Sequence, residues 1–264
     1  MSSALSPGAA RLFFHPTSSA SMRVTLYLRC RGVAAEQVRL VSTGFETDHR
    51  GIPVYTLPEG EPETRRLGTR DLKALNPEGR VPILLLPDGR SMTQSGPIID
   101  LLEALYGGSG PSLLPEDPLA QAEVRRITWI VAADVQPYQN IPFIIQAIGE
   151  WGMVRANPVE HPLRLHFIRR EFAALEGIVS RTAGRFAVGD AITYADCFLV
   201  PQIRNALLAG IDLPGEFPTL ARVWQAMLDE PPVRQVLDEA GGVVQPLAFD
   251  DEAFQVYAAG ATND

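Results

Sequence analysis

The segment Asn76-Pro77-Glu78-Gly79-Arg80-Val81-Pro82 decides the fold, because it ends a short helical turn and opens an apolar strand over Val81–Leu86. A proline at the start of a strand has no N–H to give to the ladder. A cis bond between Val81 and Pro82 would leave the main chain of Val81 open to pair with an extended, peptide-like ligand. A proline that merely occupies an edge strand is the alternative interpretation.

The residues that follow this strand predict a hairpin and then a helix. Asp88-Gly89 is a turn signal, and a short strand returns over Arg90–Met92. Gln94-Ser95 then begins a helix over Pro97–Tyr106. Amide, hydroxyl and main-chain donors at such a helix start suit a carboxylate group.

The residues that precede the segment predict a β-α-β unit. Leu12–Phe14 and Val38–Val41 are apolar runs of strand length. Between them, Ser18-Ser19-Ala20-Ser21 begins a helix that Gly32 ends. A strand, a helix and a second strand in this order predict two parallel strands.

The four residues Ser18-Ser19-Ala20-Ser21 also form a candidate anion site, because hydroxyls and free N–H groups meet the positive end of a helix there. Such a site would lower the pKa of a bound thiol from about 8.5 into the neutral range. Plain capping of the helix is the alternative.

Composition predicts a globular protein of two parts. The chain has 264 residues, of which 46% are hydrophobic and 20% charged. We predict a disordered tail over 1–10, an α/β domain over 11–107, an all-helical domain over 113–250 and a second tail over 251–264. Gly107–Pro111 is the expected boundary. The predicted helices of the second domain are Pro118–Gly149, Pro162–Thr182, Thr193–Leu208 and Pro218–Leu228.

Charge and cysteine usage exclude several classes of function. The net charge of −8, without a long basic run, argues against a nucleic-acid partner. No apolar stretch is long enough to span a membrane, and no leader is expected, so we predict a cytoplasmic protein. Cys30 and Cys197 lack the spacing of a metal site or a disulfide framework and are expected to be buried hydrophobic residues. The four histidines likewise lack metal-ligand spacing, so no metal is predicted.

Taken together, the motifs resemble those of the glutathione transferase family over nearly the whole chain. Asn-Pro-x-x-x-Val-Pro followed by Gln-Ser is the signature of that family's first domain. The zeta class resembles the chain most, since its Ser-Ser-Cys-Ser-Trp-Arg-Val segment corresponds to Ser18–Val24. Its second-domain phrases match Leu113–Pro118, Gln136–Asn140 and Leu199–Gln202. The resemblance implies a thioredoxin-like first domain, a helical second domain and a homodimer.

The resemblance also implies glutathione as the cofactor and a role for each matching residue. Ser18 would donate to the glutathione sulfur, with Ser19 beside it. The remaining implied residues are Val81 and Pro82 for the cysteinyl backbone, Gln94 and Ser95 for the γ-glutamyl end, Gln136 from the second domain, and His15 toward the second substrate. For His15, an exposed turn histidine is the alternative.

The chain departs from the family at four places, of which Met22 in place of a tryptophan is the first. Ala20 replaces a cysteine, which argues against chemistry through a mixed disulfide. Leu208 replaces the arginine with which isomerases of the class bind a diacid, and Arg204, one turn earlier, is a candidate substitute or else a solvated surface residue. The segment from Ser42 to Thr69 is long and irregular, and we expect either a functional lid or an insertion.

The function that this implies is attack of a glutathione thiolate on an electrophilic carbon of a small molecule. Cis–trans isomerisation of a conjugated enone or dienone, or a specialised biosynthetic or catabolic variant of it, is the main prediction. A transferase that forms stable conjugates or removes a leaving group is one alternative. A non-catalytic module that binds a ligand or a protein is the other.

Overall fold

The computed structural model describes residues 9–47, 53–108, 110–151 and 159–242. The chain divides into two units, Met1–Glu46 with Val54–Ser112 and Thr47–Pro53 with Leu113–Asp264. The tails predicted over 1–10 and 251–264 lie outside the described residues, apart from Ala9 and Ala10, as do residues 243–250. Ala10, which the sequence assigns to the first tail, is fully buried as the first residue of a strand.

The first unit is an α/β unit with six strands and three α-helices. Its strands are β1 (Ala10–Phe14), β2 (Val38–Ser42), β3 (Gly44–Thr47), β4 (Pro53–Thr56), β5 (Ile83–Leu85) and β6 (Ser91–Thr93). Its helices are α1 (Ser19–Arg31), α2 (Pro62–Leu67) and α3 (Ser95–Tyr106), with a 3-10 turn over Leu72–Ala74.

Four of these strands form a mixed sheet in the order β2-β1-β5-β6. β1 and β2 are parallel, which confirms the β-α-β prediction, whereas β5 runs antiparallel to both β1 and β6. The apolar strand residues Phe13 and Ile83 are fully buried in the core that this sheet supports. The arrangement is the thioredoxin-like sheet that the sequence predicts.

The bounds of α1 confirm the predicted start and stop signals. Ser18 is the N-cap, and Gly32 ends the helix in the left-handed conformation with φ 72°. A side chain is strained at such a φ, so glycine is the favoured residue there. Met22, where the zeta class has tryptophan, is 1% exposed and belongs to the core.

Within the segment predicted to be irregular, the described residues 42–47 and 53–69 are more ordered than expected. It contains strands β3 and β4, which pair as a two-stranded sheet, and the short helix α2. Its glycines and prolines signal a loop when they are read locally, because both residue types weaken regular structure. The pairing of β3 with β4 and their packing override that local tendency.

The second unit is helical throughout the part that the structure describes, apart from a single bridge between Ala183 and Gly189. Its helices are α4 (Pro118–Trp129), α5 (Gln136–Gln139), α6 (Ile141–Trp151), α7 (Pro162–Thr182), α8 (Tyr194–Leu208), α9 (Leu213–Glu216), α10 (Pro218–Leu228) and α11 (Pro231–Glu239). A π-helical segment, Ile130–Val135, joins α4 to α5. Across the described residues, every helix is too short or too polar to cross a membrane.

The helical stretch predicted from Pro118 to about Gly149 is divided into three α-helices and a π-helical segment. The π-helical segment interrupts it first, and Asn140 is extended, with φ −70° and ψ 131°, between α5 and α6. Pro142 directly follows the first residue of α6, where a missing N–H costs little. The prolines therefore begin new helices instead of bending one.

Buried polar pairs hold the second unit together. Thr193 and Asp196 form a capping box, in which the Asp196 carboxylate accepts from the N–H groups of Thr193 and Ala187, both at 2.8 Å. The amides of Gln139 and Gln202, both almost fully buried, hydrogen-bond each other at 2.5 Å. The segments Gln136–Asn140 and Leu199–Gln202, which match the family, therefore contribute hydrogen bonds that stabilise the second unit.

Candidate active site

Three segments that the sequence singles out meet at one edge of the four-stranded sheet. Because β1 and β5 are antiparallel, with Phe13 opposite Ile83, the residues after β1 and before β5 lie at the same edge. β5 and β6 are also antiparallel, with Ile83 opposite Thr93, so Gln94 follows β6 at that edge. The start of α1, the main chain of Val81 and the start of α3 therefore lie at the same edge of the sheet.

Ser18 lies between β1 and α1 with its hydroxyl at the start of the helix. Its backbone is extended, with φ −74° and ψ 117°. The hydroxyl oxygen accepts a hydrogen bond from the N–H of Ser21 at 3.3 Å. In the described part of the chain, the N–H of Ala20 in the same turn has no acceptor. A hydroxyl, a free N–H and the positive end of a helix are together available to an anion.

The neighbouring serines have different surroundings. Ser19 is 6% exposed and Ser21 is completely buried. The Ser21 hydroxyl accepts from the main-chain N–H of His15 at 3.3 Å, and the N–H of Ser18 donates to the His15 carbonyl at 3.1 Å. These bonds fix the turn that carries Ser18. Participation of Ser19 in the chemistry stays a prediction.

The peptide bond between Val81 and Pro82 is cis. Val81 lies outside the ladder of β5, which begins at Ile83. No described residue hydrogen-bonds the N–H or the carbonyl of Val81. Both groups are therefore available to an extended ligand strand, as the sequence predicts.

Gln94 and Ser95 form the third part of the site. Gln94 has φ 69° and ψ 127°, and among the described residues it is the one non-glycine with a positive φ. Its amide Nε2 donates to Glu78 Oε2 at 2.9 Å. Ser95, the first residue of α3, is 6% exposed, and its hydroxyl accepts from Arg23 Nη1 at 3.3 Å.

Arg23 connects two of these segments. It extends from α1 to Ser95 at the start of α3 and is 1% exposed. Burial lowers the pKa of Arg23 to about 9. Arg23 lies within Ser18–Val24, the segment that matches the zeta class, so the sequence draws attention to this residue. The sequence does not indicate that its partner is Ser95.

His15, whose carbonyl accepts the Ser18 N–H, belongs to an aromatic cluster beside the start of α1. Its ring centroid lies 5.2 Å from that of Phe45 and 5.6 Å from that of Tyr55, and the Phe45 and Tyr55 centroids are 5.7 Å apart. Burial lowers the pKa of His15, so the imidazole is neutral at pH 7. His15 is partly buried, and its role toward a second substrate stays a prediction.

Tyr55 is the residue of the site that the sequence does not indicate. It lies on β4, within the segment predicted to be irregular, and its ring packs against those of His15 and Phe45. Burial raises the pKa of Tyr55.

The second unit carries the other predicted site residues. Gln136 is partly buried as the first residue of α5, and Leu208 is partly buried as the last residue of α8. Arg204 is 2% exposed and donates to the carbonyls of Ala240 at 2.9 Å and Gly242 at 3.0 Å. Its interpretation as a solvated surface residue is therefore wrong, and its guanidinium caps the end of α11.

The two cysteines lie in helices, as predicted, and are free thiols. Cys197 on α8 is fully buried, whereas Cys30 near the end of α1 is only partly buried. The prediction of two buried cysteines is thus wrong for Cys30. Since residue 20 is alanine, the start of α1 itself carries no thiol.

Comparison with known families identifies both units. Residues 12–110 match the family model for the glutathione S-transferase N-terminal domain. Residues 155–239 match the model for the glutathione S-transferase C-terminal domain. The two matches together cover more than half of the chain.

Individual relatives agree with these family models. Maleylacetoacetate isomerase of Emericella nidulans is 31% identical over 227 residues, which cover 83% of this chain and 93% of the relative. The structure of maleylacetoacetate isomerase from Anaeromyxobacter dehalogenans with glutathione in its active site is similar, with a TM-score of 0.66, 32% identity, and coverage of 91% of this chain and 98% of that one. A maleylpyruvate isomerase described as a bacterial zeta-class glutathione S-transferase has a TM-score of 0.68 and 26% identity, covering 90% of this chain and 100% of its own.

Proposed function

The chain belongs to the glutathione S-transferase family, and from this premise we propose that it is a glutathione-dependent enzyme that isomerises a small conjugated enone or dienone from cis to trans. The observation that carries the proposal is the meeting of Ser18, the Val81 main chain and Gln94-Ser95 at one edge of the sheet. The isomerase names of its relatives support the choice of reaction.

The donors and acceptors at this edge fit a γ-glutamyl tripeptide. The Ser18 hydroxyl and the Ala20 N–H suit an ionised sulfur, because both can donate to it. The unpaired main-chain groups of Val81 suit the peptide backbone of an extended ligand. Gln94 and Ser95, at the start of α3, suit the charged γ-glutamyl end. By the resemblance we assign Gln136 as a further ligand.

Glutathione, when bound, supplies a thiol that adds to the double bond and is released unchanged after the bond has rotated. The chain's contribution is to keep that sulfur ionised. A hydrogen bond to a charged acceptor contributes about 1.5–3 kcal/mol, and a helix N-terminus about 0.3–1 kcal/mol. Together these favour the thiolate by roughly one to three pKa units, which brings a thiol of pKa about 8.5 into the neutral range.

The alanine at position 20 restricts the chemistry that the start of α1 can perform. A cysteine there would allow a mixed disulfide with glutathione, but Ala20 has no thiol. Addition of the glutathione thiolate to the substrate and its later elimination need no protein thiol, and the start of α1 contributes only the hydroxyl of Ser18 to them. The reaction class is therefore addition to carbon, without a disulfide step.

The acceptor that we propose is less acidic than a diacid. A carboxylate needs a cationic or N–H donor, and Leu208 supplies neither. Arg204 already donates to the carbonyls of Ala240 and Gly242. A panel that compares maleylacetoacetate with neutral cis-enones tests this, and higher kcat/KM for the diacid would overturn it.

Substitutions at Ser18 test the catalytic proposal. Ser18→Ala should lower kcat/KM by about 10²–10³, as removal of one donor to a developing anion does. Because alanine also removes the helix cap, Ser18→Asp is the second variant: it keeps an N-cap side chain but places a negative charge beside the sulfur. Ser180→Ala, the same type of change at an exposed hydroxyl that donates to the Gly177 carbonyl on α7, is the matched control.

The expected pattern is loss of activity in both Ser18 variants with normal folding of Ser18→Asp, and near-normal activity in Ser180→Ala. Isothermal titration with glutathione and the ultraviolet absorbance of the thiolate measure binding and ionisation separately. Full activity in Ser18→Ala would remove Ser18 from the mechanism. Failure of the unmodified protein to bind glutathione would overturn the whole proposal.

We also propose a homodimer in the cytoplasm. The family resemblance supports the dimer, and the apolar side chains of Leu119 and Trp129 on α4 are 71% and 70% exposed in the single chain. Light scattering after size-exclusion chromatography tests the mass, and cell fractionation tests the location.

A further inference from the structure

The imidazole of His15 lies beside the proposed thiol site and is held in place on two sides. The main-chain N–H of His15 donates to the Ser21 hydroxyl at 3.3 Å, and its carbonyl accepts the Ser18 N–H at 3.1 Å. The ring packs against those of Phe45 and Tyr55, with centroid distances of 5.2 and 5.6 Å. Because both its main chain and its ring are fixed, His15 belongs to the turn that carries the Ser18 hydroxyl.

The hydrogen bonds of the imidazole decide which of its nitrogens carries the proton. The main-chain N–H of Thr17 donates to Nδ1 of His15 at 3.4 Å, and the Thr17 hydroxyl lies 2.9 Å from the same nitrogen. A main-chain N–H can only donate, so Nδ1 is the acceptor nitrogen of the ring. Burial lowers the pKa of His15, so the ring is neutral at pH 7 and carries its single proton on Nε2.

The Nε2–H group of His15 is available to a ligand. Among the residues that the structure describes, none forms a hydrogen bond with Nε2. The ring is only partly buried, and the neighbouring Phe45 side chain is 47% exposed, so a small molecule can approach the ring from solvent. A fixed donor of this kind stabilises an oxygen on which negative charge develops during a reaction.

We propose that His15 is a catalytic residue whose Nε2–H donates a hydrogen bond to the carbonyl oxygen of the acceptor substrate. In the proposed reaction a carbon–sulfur bond forms at the β carbon, and the electron pair of the double bond moves toward the carbonyl oxygen. After rotation about the new single bond, the pair returns and the carbon–sulfur bond breaks. His15 stabilises the charge on oxygen between these two steps and transfers no proton, so no further reactant is needed.

The inference rests on the proposed function and narrows its substrate class. One neutral donor suits the carbonyl oxygen of an uncharged ketone or aldehyde. A carboxylate acceptor gains more from a cation, and His15 is neutral at pH 7. We therefore expect an uncharged conjugated carbonyl compound as the acceptor.

The main test compares His15→Phe, which keeps an aromatic ring, with His15→Gln, whose amide nitrogen is as many bonds from Cα as Nε2 is. With a neutral cis-enone, kcat should fall about tenfold to a hundredfold in His15→Phe, the loss expected for one hydrogen bond to a charged acceptor. His15→Gln should keep most of the activity because it keeps a donor. His166→Phe, the same change at an exposed histidine of α7, is the matched control. Unchanged kcat in His15→Phe would overturn the inference, as would a His15→Gln variant that is equally inactive.

A second acceptor separates an effect on the carbonyl oxygen from an effect on the thiol or on folding. With a benzyl halide, the thiolate displaces halide and no charge develops on a carbonyl oxygen. His15→Phe should therefore slow isomerisation of the enone much more than conjugation of the benzyl halide, in the same protein preparation. An equal loss with both acceptors would overturn the role at the carbonyl.

Two measurements that need no turnover test the same hydrogen bond. In the unmodified protein labelled with ¹⁵N-histidine, the NMR signals that are absent from His15→Gln should show an unprotonated Nδ1 and a protonated Nε2; the opposite tautomer would overturn the inference. The infrared carbonyl band of a bound trans-enone should lie at lower frequency in the unmodified protein than in His15→Phe. The same frequency in both proteins would also overturn it.

Glutathione titration of the unmodified protein separates failure of the proposed function from failure of this inference. Absence of glutathione binding contradicts the proposed function. Glutathione binding and enone isomerisation that do not depend on the His15 side chain contradict this inference alone.

Discussion

Replacing Gln94 by glycine should make the protein more stable and weaken its binding of glutathione. Gln94 has φ 69° and ψ 127°, a conformation that suits glycine and strains a side chain. It lies directly before α3, at the point where the proposed γ-glutamyl subsite needs its amide. Strain at a binding residue is retained when the surrounding structure fixes it, and β6 and α3 fix this residue from both sides.

The expected change in the free energy of unfolding is the sum of one stabilising and two destabilising effects. Relief of the strained backbone contributes about 1–3 kcal/mol. The extra freedom of glycine in the unfolded chain costs about 0.5–1 kcal/mol, and loss of the exposed hydrogen bond to Glu78 costs roughly 0.5 kcal/mol. Gln94→Gly should therefore be about 1 kcal/mol more stable than the unmodified protein, which raises Tm by roughly 2–4 °C.

Gln94→Ala is the matched variant, because it removes the same amide but keeps the strain. Glutathione affinity should fall about tenfold or more in both variants, since each loses a hydrogen bond to a charged group. The free energy of unfolding in urea, measured without glutathione, should be about 1 kcal/mol higher for glycine than for alanine. A glycine variant that is less stable than the alanine variant would refute the strain argument, and unchanged affinity would refute the assignment of Gln94 as a ligand.

Three further predictions concern buried groups. Arg23→Met should raise KM for glutathione about fivefold to tenfold with little change in kcat, because it removes the hydrogen bond that orients Ser95; an unchanged KM would contradict this. Asp196→Ala should lower the free energy of unfolding by about 2–4 kcal/mol, measured in urea, because it leaves the buried N–H groups of Thr193 and Ala187 without acceptors. Burial lowers the pKa of His15 below 6.5, so its contribution to stability is present above pH 6.5 and is lost as the pH falls through the folded-state pKa. His15→Gln should accordingly flatten the dependence of Tm on pH between about pH 5 and 7, and an unchanged slope would contradict this.

The structure shows whether another residue can replace the arginine that isomerases of the class carry at position 208. From the sequence, Arg204 is a candidate replacement for the family's diacid-binding arginine. The structure shows it buried and bonded to two carbonyls at the end of α11. A cation that caps a helix in this way stabilises the fold, and a substrate carboxylate would have to displace both bonds.

The sequence by itself determined the elements whose bounds depend on near neighbours. Ser18 and Gly32 delimit α1 because a cap and a left-handed stop act within one turn of the helix. Thr193 and Asp196 begin α8 for the same reason. The order of motifs was likewise sufficient to indicate the family and to predict that Ser18, Val81 and Gln94 lie together, and the sheet brings their segments to one edge.

Tertiary structure alone decided the contacts between residues far apart in the chain. Arg23 meets Ser95 across 72 positions, and Arg204 meets Gly242 across 38. Tyr55 packs against His15 from a segment whose glycines and prolines indicate a loop. Local preferences of the backbone act over about four residues, whereas these contacts exist only after strands have paired and helices have packed, so no spacing in the sequence encodes them.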